Sequence, residues 1–269
     1  MRPAEILREL KKYPKKLFGQ NFLVDPAVIA DMVEAAELSE EETVVEIGPG
    51  LGALTFALLE HAKKVIAIEI DYEFANYLRL KKHRRLKIIR GDALRVDWTL
   101  DGDPYKLVSN IPYSITSPLL RKTFSLTIKP TRVVLLVQKE MAERIVARAG
   151  SSDRGFLTIL VEANAKAKLI RTVKPGSFYP SPKTHSAIVS LEIDQKAKAD
   201  SVFYPAVEAG FRHKRQMLIN ALSRDLALSK PVLREIFTEA KVPHDWRAQS
   251  LSFEQWVELS GQLKKRTIS

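Results

Sequence analysis

The chain has 269 residues, 45% of them hydrophobic, and its 43 Lys and Arg exceed its 32 Asp and Glu to give a formal net charge of +11. It has no cysteine, which excludes disulfides, thiolate metal sites and cysteine nucleophiles together. No stretch approaches the ~18–20 uninterrupted apolar residues of a membrane span, and the surplus of positive charge favours a polyanionic partner, whose neutralised phosphates release counterions. The start, MRPAEILRELKKYPKK, is too charged for a secretory core, and Glu5 and Glu9 argue against a mitochondrial presequence. A cytoplasmic protein is expected. The five histidines have no partner at a metal-binding spacing, so no metal is expected.

From about residue 25 to 193, β-branched runs alternate with helical patterns. In chain order the predicted elements are helix Ala27–Glu37, strand Thr43–Gly48, helix Leu51–His61, strand Lys64–Ile70 and helix Tyr72–Lys81. Strands Leu86–Arg90 and Lys106–Asn110, helix Pro118–Leu126, strand Arg132–Gln138 and helix Lys139–Ala149 follow. Such alternation implies an α/β fold with a mostly parallel sheet covered by helices on both faces. The last two strands, Ala167–Val173 and Ser186–Ile193, are joined by a Pro-rich segment with no room for a helix, so they should pair antiparallel. A mostly parallel sheet whose last strand is antiparallel resembles the Rossmann-like sheet of class I methyltransferases. Beyond a polar linker, Asp194–Ser201, the chain carries only helical periodicity. The expected division is a Rossmann-like domain over 1–195, with an N-terminal segment 1–25, and a small all-helical domain over 196–269.

The segment VEIGPGLGALT (45–55) leaves a strand and opens a helix. Gly48 and Gly50 let the backbone turn sharply and approach a ligand, and the helix N-terminus presents free N–H groups. Read alone, the loop also fits a dinucleotide fingerprint. Glu69, next to Ile70 and 21 residues after Gly48, can accept from ribose hydroxyls, but NAD and S-adenosylmethionine both carry such a ribose. Two further acids separate them. Glu46, just before the glycines, suits a cationic amino-acid end better than a pyrophosphate. Asp92, followed by Ala93, can accept from an adenine amino group at the end of the next strand.

After the fourth strand comes Asn110-Ile111-Pro112-Tyr113. An adenine amino group is a poor nucleophile because its lone pair is delocalised into the ring. The Asn110 side-chain oxygen and the Ile111 carbonyl can accept both amino hydrogens and free that lone pair. Pro112 stiffens the turn and Tyr113 offers a face for stacking. Catalysis would rest on positioning and electrostatics, without a strong general base.

These segments, together with PKKLFGQNFLVD (14–25), IEID (68–71), GDA (91–93), NIPYSITSPLL (110–120), VQKEMAERIVA (137–147) and FYPSPKTHSAIV (178–189), resemble one family. It is the KsgA-type rRNA adenine N6,N6-dimethyltransferases, related to the Erm methyltransferases. The resemblance covers roughly residues 14–193. It implies S-adenosylmethionine as cofactor and S-adenosylhomocysteine as product. It also implies dimethylation of two adjacent adenosines in a 3'-terminal hairpin of small-subunit, 16S-type rRNA. It gives Asn21 and Leu23 to the segment that closes over the cofactor, and Gly48 and Gly50 to the methionine end. Glu69 takes the ribose, Asp92 the adenine, Asn110 both cofactor and target amine, and Phe178 the aromatic wall opposite Tyr113. The one departure noted is Thr184, where valine is frequent.

Candidate phosphate contacts are Lys15 and Lys16 near the N-terminus and Arg212, Lys214 and Arg215 in the FRHKR segment. The expected partner is small-subunit rRNA or a pre-30S particle met by a monomer. The alternatives are an Erm-like enzyme of large-subunit rRNA, an assembly factor with a secondary methyltransferase role, and an NAD-dependent dehydrogenase.

Overall fold

The strand candidates carry apolar residues at consecutive positions, a pattern that only a sheet covered on both faces can bury. The computed structural model describes residues 3–14, 20–98, 104–196 and 202–267. A short helix α1 (Pro3–Glu9) and a two-residue strand β1 (Phe22–Leu23) come first. Then α2 (Pro26–Ala36) opens with Pro26 in its first turn and an Asp25 side chain that accepts from the Ala27 N–H at 3.0 Å, a satisfied helix start.

Alternating units follow: β2 (Thr43–Ile47), α3 (Ala53–His61), β3 (Lys64–Glu69), α4 (Tyr72–Leu80), β4 (Leu86–Arg90), β5 (Tyr105–Asn110), α5 (Thr116–Ser125) and β6 (Arg132–Gln138). After α6 (Lys139–Ile145) and α7 (Phe156–Asn164) come β7 (Ala165–Val173), the short β8 (Phe178–Tyr179) and β9 (Ser186–Ile193). Seven strands form one sheet in the order β4-β3-β2-β5-β6-β9-β7. β4, β3, β2, β5 and β6 run parallel, and β9 lies antiparallel to β6 from Arg132↔Glu192 to Gln138↔Ser186. The last strand in the chain is therefore not the last in the sheet, because β9 inserts between β6 and β7. The strand order reverses at β2, whose neighbours are β3 and β5, and the loops leaving β2 and β5 diverge to opposite sides there.

One core joins Val28 and Met32 of α2, Leu54 and Leu58 of α3, and Val44, Val65, Val108 and Val134 of the strands. A smaller cluster joins Ile6 and Leu7 of α1 to Phe22, Leu51 and Phe74. β1 and β8 form a separate two-stranded ribbon, with Phe22 opposite Tyr179 and Leu23 opposite Phe178. Two-residue strands leave no periodicity in a sequence, and none was expected there.

The chain divides into two compact units, Met1–Ala142 with Ala167–Ile193, and Glu143–Lys166 with Asp194–Ser269. The second unit contains α7, α8 (Phe203–Arg212), α9 (Leu218–Asp225), α10 (Lys230–Glu239) and α11 (Phe253–Thr267). Its core sets Ile159 and Ala163 of α7 among Phe203, Leu222, Phe237 and Trp256, so it draws on the middle of the chain as well as on 196–269. The predicted helix Lys139–Ala149 ends early, at Ile145. Gly150, at φ +85, turns the chain away and donates to the Gln249 carbonyl at 2.8 Å. Among the described residues, no helix is long and apolar enough to cross a membrane.

The second unit also encloses a charge. The Arg154 side chain is 1% exposed; it donates two 2.7 Å hydrogen bonds to Glu162 and one of 3.1 Å to the Ala147 carbonyl. A buried guanidinium left without its carboxylate is strongly unfavourable. Glu162→Ala should therefore lower stability by about 2–3 kcal/mol in urea denaturation, and the Arg154→Met/Glu162→Met pair by less.

Candidate active site

The reversal of strand order at β2 opens a crevice at the carboxyl ends of the strands, the usual ligand position in such sheets. A cavity of about 580 Å³ lies there. Asn21, Leu23, Glu46, Gly48, Gly50, Glu69 and Ile70 line it together with the whole of Asn110-Ile111-Pro112-Tyr113. Eleven residues singled out from four separate stretches of sequence thus share one space.

The glycine loop is built for close approach. Gly48 and Gly50 have φ of +65 and +54, the left-handed region that penalises a side chain. A Cβ on Gly50 would come within 3.0 Å of the Phe22 ring. The Gly50 N–H donates to Glu69 Oε2 at 3.0 Å, and the Asp71 N–H donates to Glu69 Oε1 at 2.8 Å. Glu69 is therefore a strut between the glycine loop and the start of α4. Each of its oxygens keeps a second lone pair for a ligand hydroxyl.

Glu46 is in a different position. Its side chain is 2% exposed, and Oε2 has no hydrogen-bond partner in the structure. Burial pushes its carboxyl up to about 8; the Thr55 hydroxyl opposes the rise and the neighbouring Glu69 charge adds to it. Glu69 is raised as well, first by burial, against the lowering effect of the Asp71 and Gly50 N–H groups.

On the other wall, Asn110 ends β5 and its Nδ2 donates to the Asn21 carbonyl at 3.1 Å. The N-terminal segment therefore sets the orientation of the amide, and Oδ1 is left as its acceptor. The Tyr113 hydroxyl shares a 2.7 Å hydrogen bond with Ser186 of β9, which fixes the ring, and burial raises its pKa. Ser186 was not anticipated, because a serine at the start of a strand carries no signal of its own. Nor were Ile6 of α1, Tyr77 or Lys81, which also line the cavity.

Three predicted residues are absent from the cavity lining. Asp92 and Ala93 stand in the turn after β4, where Asp92 Oδ1 accepts from the Leu94 N–H at 2.9 Å. Phe178 is 4% exposed and is enclosed in the apolar core with Leu23. The predicted phosphate contacts divide likewise. Arg212 pairs with Asp225 at 2.7 Å, and Lys214 donates to the Ser152 carbonyl. Arg215 is exposed and has no ion-pair partner among the described residues. Lys15 and Lys16 lie outside the described residues. Among the described residues, no three His, Cys, Asp or Glu side chains are grouped to hold a metal ion.

Comparison with known proteins gives a consistent outcome. The family described as ribosomal RNA adenine dimethylase matches residues 12–265. The ribosomal RNA small subunit methyltransferase A of Dehalococcoides mccartyi (strain CBDB1) is 40% identical over 254 residues, covering 91% of this chain and 87% of that protein. The protein of the same name from Clostridium botulinum (strain Kyoto / Type A2) is 36% identical over 269 residues, covering 97% and 98%. Among solved structures, a dimethyladenosine transferase from Plasmodium falciparum superposes with a TM-score of 0.78 at 27% identity, covering 91% of this chain and 98% of that one. The 23S rRNA methyltransferase ErmE superposes with a TM-score of 0.72 at 26% identity, covering 91% and 100%.

The raised carboxyl has a measurable consequence. Unfolded, Glu46 ionises near 4.5; folded, at about 8. Between these values the folded protein holds a proton that the unfolded chain has released. This contribution to stability is complete below 4.5 and is lost as pH rises towards 8, with Glu69 acting in the same direction. Urea denaturation across that window should show the decline, and Glu46→Gln should flatten most of it.

Proposed function

We propose, from the premise that this chain belongs to the ribosomal RNA adenine dimethylase family, that it dimethylates the N6 amine of adenosines in small-subunit rRNA. The observation that carries this reading is the shared cavity. The acid-flanked glycine loop and Asn110-Ile111-Pro112-Tyr113 face the same space, so a methyl donor and an adenine amine can meet in it.

The residues present fit S-adenosylmethionine. A buried carboxyl oxygen without a partner, on Glu46, can give up its proton to meet a cation, and the open space beside Gly48 admits backbone contact. Glu46, Gly48 and Gly50 would hold the amino-acid end and Glu69 the ribose. Ile70 would hold the adenine, with Asp92 and Ala93 joining it from the turn after β4, outside the cavity lining, and Asn21 and Leu23 would cover the site. When bound, the cofactor supplies an electrophilic methyl group on a sulfonium, and S-adenosylhomocysteine is left. No metal is needed, since the sulfonium is already activated.

The protein's own part is positional. Asn110 Oδ1 and the Ile111 carbonyl accept the amino hydrogens of the target adenine, two before the first transfer and one before the second, and direct its lone pair; the methylated cation then loses a proton to water. Pro112 holds the turn, and Tyr113, pinned by Ser186, provides a flat face. Phe178 is the opposite wall, with a condition. At 4% exposure its ring is covered, so an arriving base has to shift the β1–β8 ribbon. The target base must leave its stack to reach the site, and unpaired loop adenosines leave it most readily. Two adjacent adenosines in the 3'-terminal hairpin of 16S-type rRNA fit that requirement. The enzyme acts as a cytoplasmic monomer on a pre-30S particle. The helical unit grips RNA phosphates, chiefly through Arg215, with Arg212 and Lys214 contributing once released from Asp225 and Ser152. Lys15 and Lys16 add to this from the N-terminal segment.

Methyl transfer to purified small-subunit particles, followed by nucleoside analysis, tests the reading. Dimethyladenosine in small-subunit rRNA is expected; methylation confined to large-subunit rRNA would sink the choice of substrate. Asn110→Ala should reduce kcat by about 100-fold while cofactor Kd changes little. Calorimetry at pH 7 gives a second check. Glu46, protonated in the free protein, should release a proton as S-adenosylmethionine binds, so the binding enthalpy should vary with the buffer's ionisation enthalpy. Glu46→Gln should abolish that variation.

A further inference from the structure

The turn after β4 is tightly folded. The Gly91 N–H donates to the Glu69 carbonyl at 2.9 Å, and the Arg95 and Val96 N–H groups both donate to the Asp92 carbonyl at 2.9 Å. A Cβ on Gly91 would stand 2.4 Å from a Val96 methyl, so the turn closes on itself only around glycine. The far side of the turn is held from another element. Lys122 of α5 donates through Nζ to the Ala93 carbonyl at 2.9 Å and to the Val96 carbonyl at 2.6 Å. The same ammonium lies 5.3 Å from the centroid of the Trp98 ring, and Trp98 Nε1 donates to the Ala93 carbonyl at 2.9 Å. Trp98 is 3% exposed. A lysine on an exposed helix face normally extends into water; this one is turned inward onto two carbonyls and an aromatic face. Burial lowers its pKa, and the charges of Asp97 and Asp92 oppose that fall.

We propose that Lys122 is a positioning residue for the adenine end of the cofactor, coupling the Asp92–Ala93 turn to the helix that leads out of Asn110–Tyr113. The proposal rests on the assignment of Asp92 and Ala93 to the cofactor. A single 3-10 turn, Tyr113–Ile115, joins the amine-binding segment to α5, which starts at Thr116 and carries the ammonium. Charge-assisted hydrogen bonds to the Ala93 and Val96 carbonyls fix the turn that follows Asp92 more firmly than neutral bonds would. Lys122 itself touches neither substrate.

The test compares Lys122→Met, Lys122→Arg and Trp98→Phe with wild type, each as the full chain. Calorimetry with S-adenosylmethionine and with S-adenosylhomocysteine should show both weakened about tenfold by Lys122→Met. The KM for cofactor should rise in parallel, and kcat at saturating cofactor should stay within about twofold. Amide exchange should quicken in peptides spanning 91–98. Lys122→Arg, which keeps charge and reach, should restore most of the affinity. Trp98→Phe, which removes the Nε1 donor and part of the ring beneath the Lys122 ammonium, should weaken binding about threefold and decides the matter if Lys122→Met does not fold. Unaltered cofactor affinity in the folded variants overturns the proposal, as does a fall in kcat with Kd unchanged. A wild-type protein that binds neither ligand defeats the reading of the whole site instead.

Discussion

A carboxylate taken out of water must be held by donors or take up a proton, and the two acids at the ends of β2 and β3 divide these outcomes. Glu69 is held by the Gly50 and Asp71 N–H groups, and through them it joins the glycine loop to the start of α4. Glu46 has a partnerless oxygen and a carboxyl pushed up to about 8. The parallel sheet makes both necessary. Its strand order reverses at β2, and the residues that end β2 and β3 are forced into the crevice so formed. The cavity is therefore preorganised at Glu69 and unsatisfied at Glu46, a difference that suits a ligand carrying an ammonium group.

The remainder of the cavity hangs from that frame through a few long-range bonds. The Asn21 carbonyl orients the Asn110 amide, 89 residues away in sequence. Ser186 of β9 fixes the ring of Tyr113. β1 pairs with β8, so Leu23 of the cavity lining and the buried Phe178 belong to one ribbon. Phe22 meets Phe74 edge-on at 5.5 Å and closes against Gly50.

Much of this was legible in the chain. The alternation of β-branched runs and helical patterns reads correctly because parallel strands must be apolar on both faces. That the glycine loop, Glu46, Glu69 and Asn110–Tyr113 share one cavity was legible because all of them stand at or next to the carboxyl ends of parallel strands. Ser186, Tyr77 and Lys122 were not. A serine, tyrosine or lysine has dozens of possible roles, and only contact with a remote element selects one. Phe178 shows the converse: its motif singles out the residue, but its burial beside Leu23 depends on a ribbon of two-residue strands that no periodicity announces. The FRHKR run reads as three equivalent cations, yet Asp225 and the Ser152 carbonyl engage two of them and leave Arg215 exposed.

By itself, the sequence determined the fold class, the strand ends and the kinds of chemical group that had to stand there, because backbone geometry and burial act locally and periodically. Which oxygen of which acid lacks a partner, which way the Asn110 amide faces and which helix anchors the turn after β4 were decided by tertiary structure alone. Hydrogen bonds between residues 62 to 89 positions apart depend on distances that exist only once the sheet has formed.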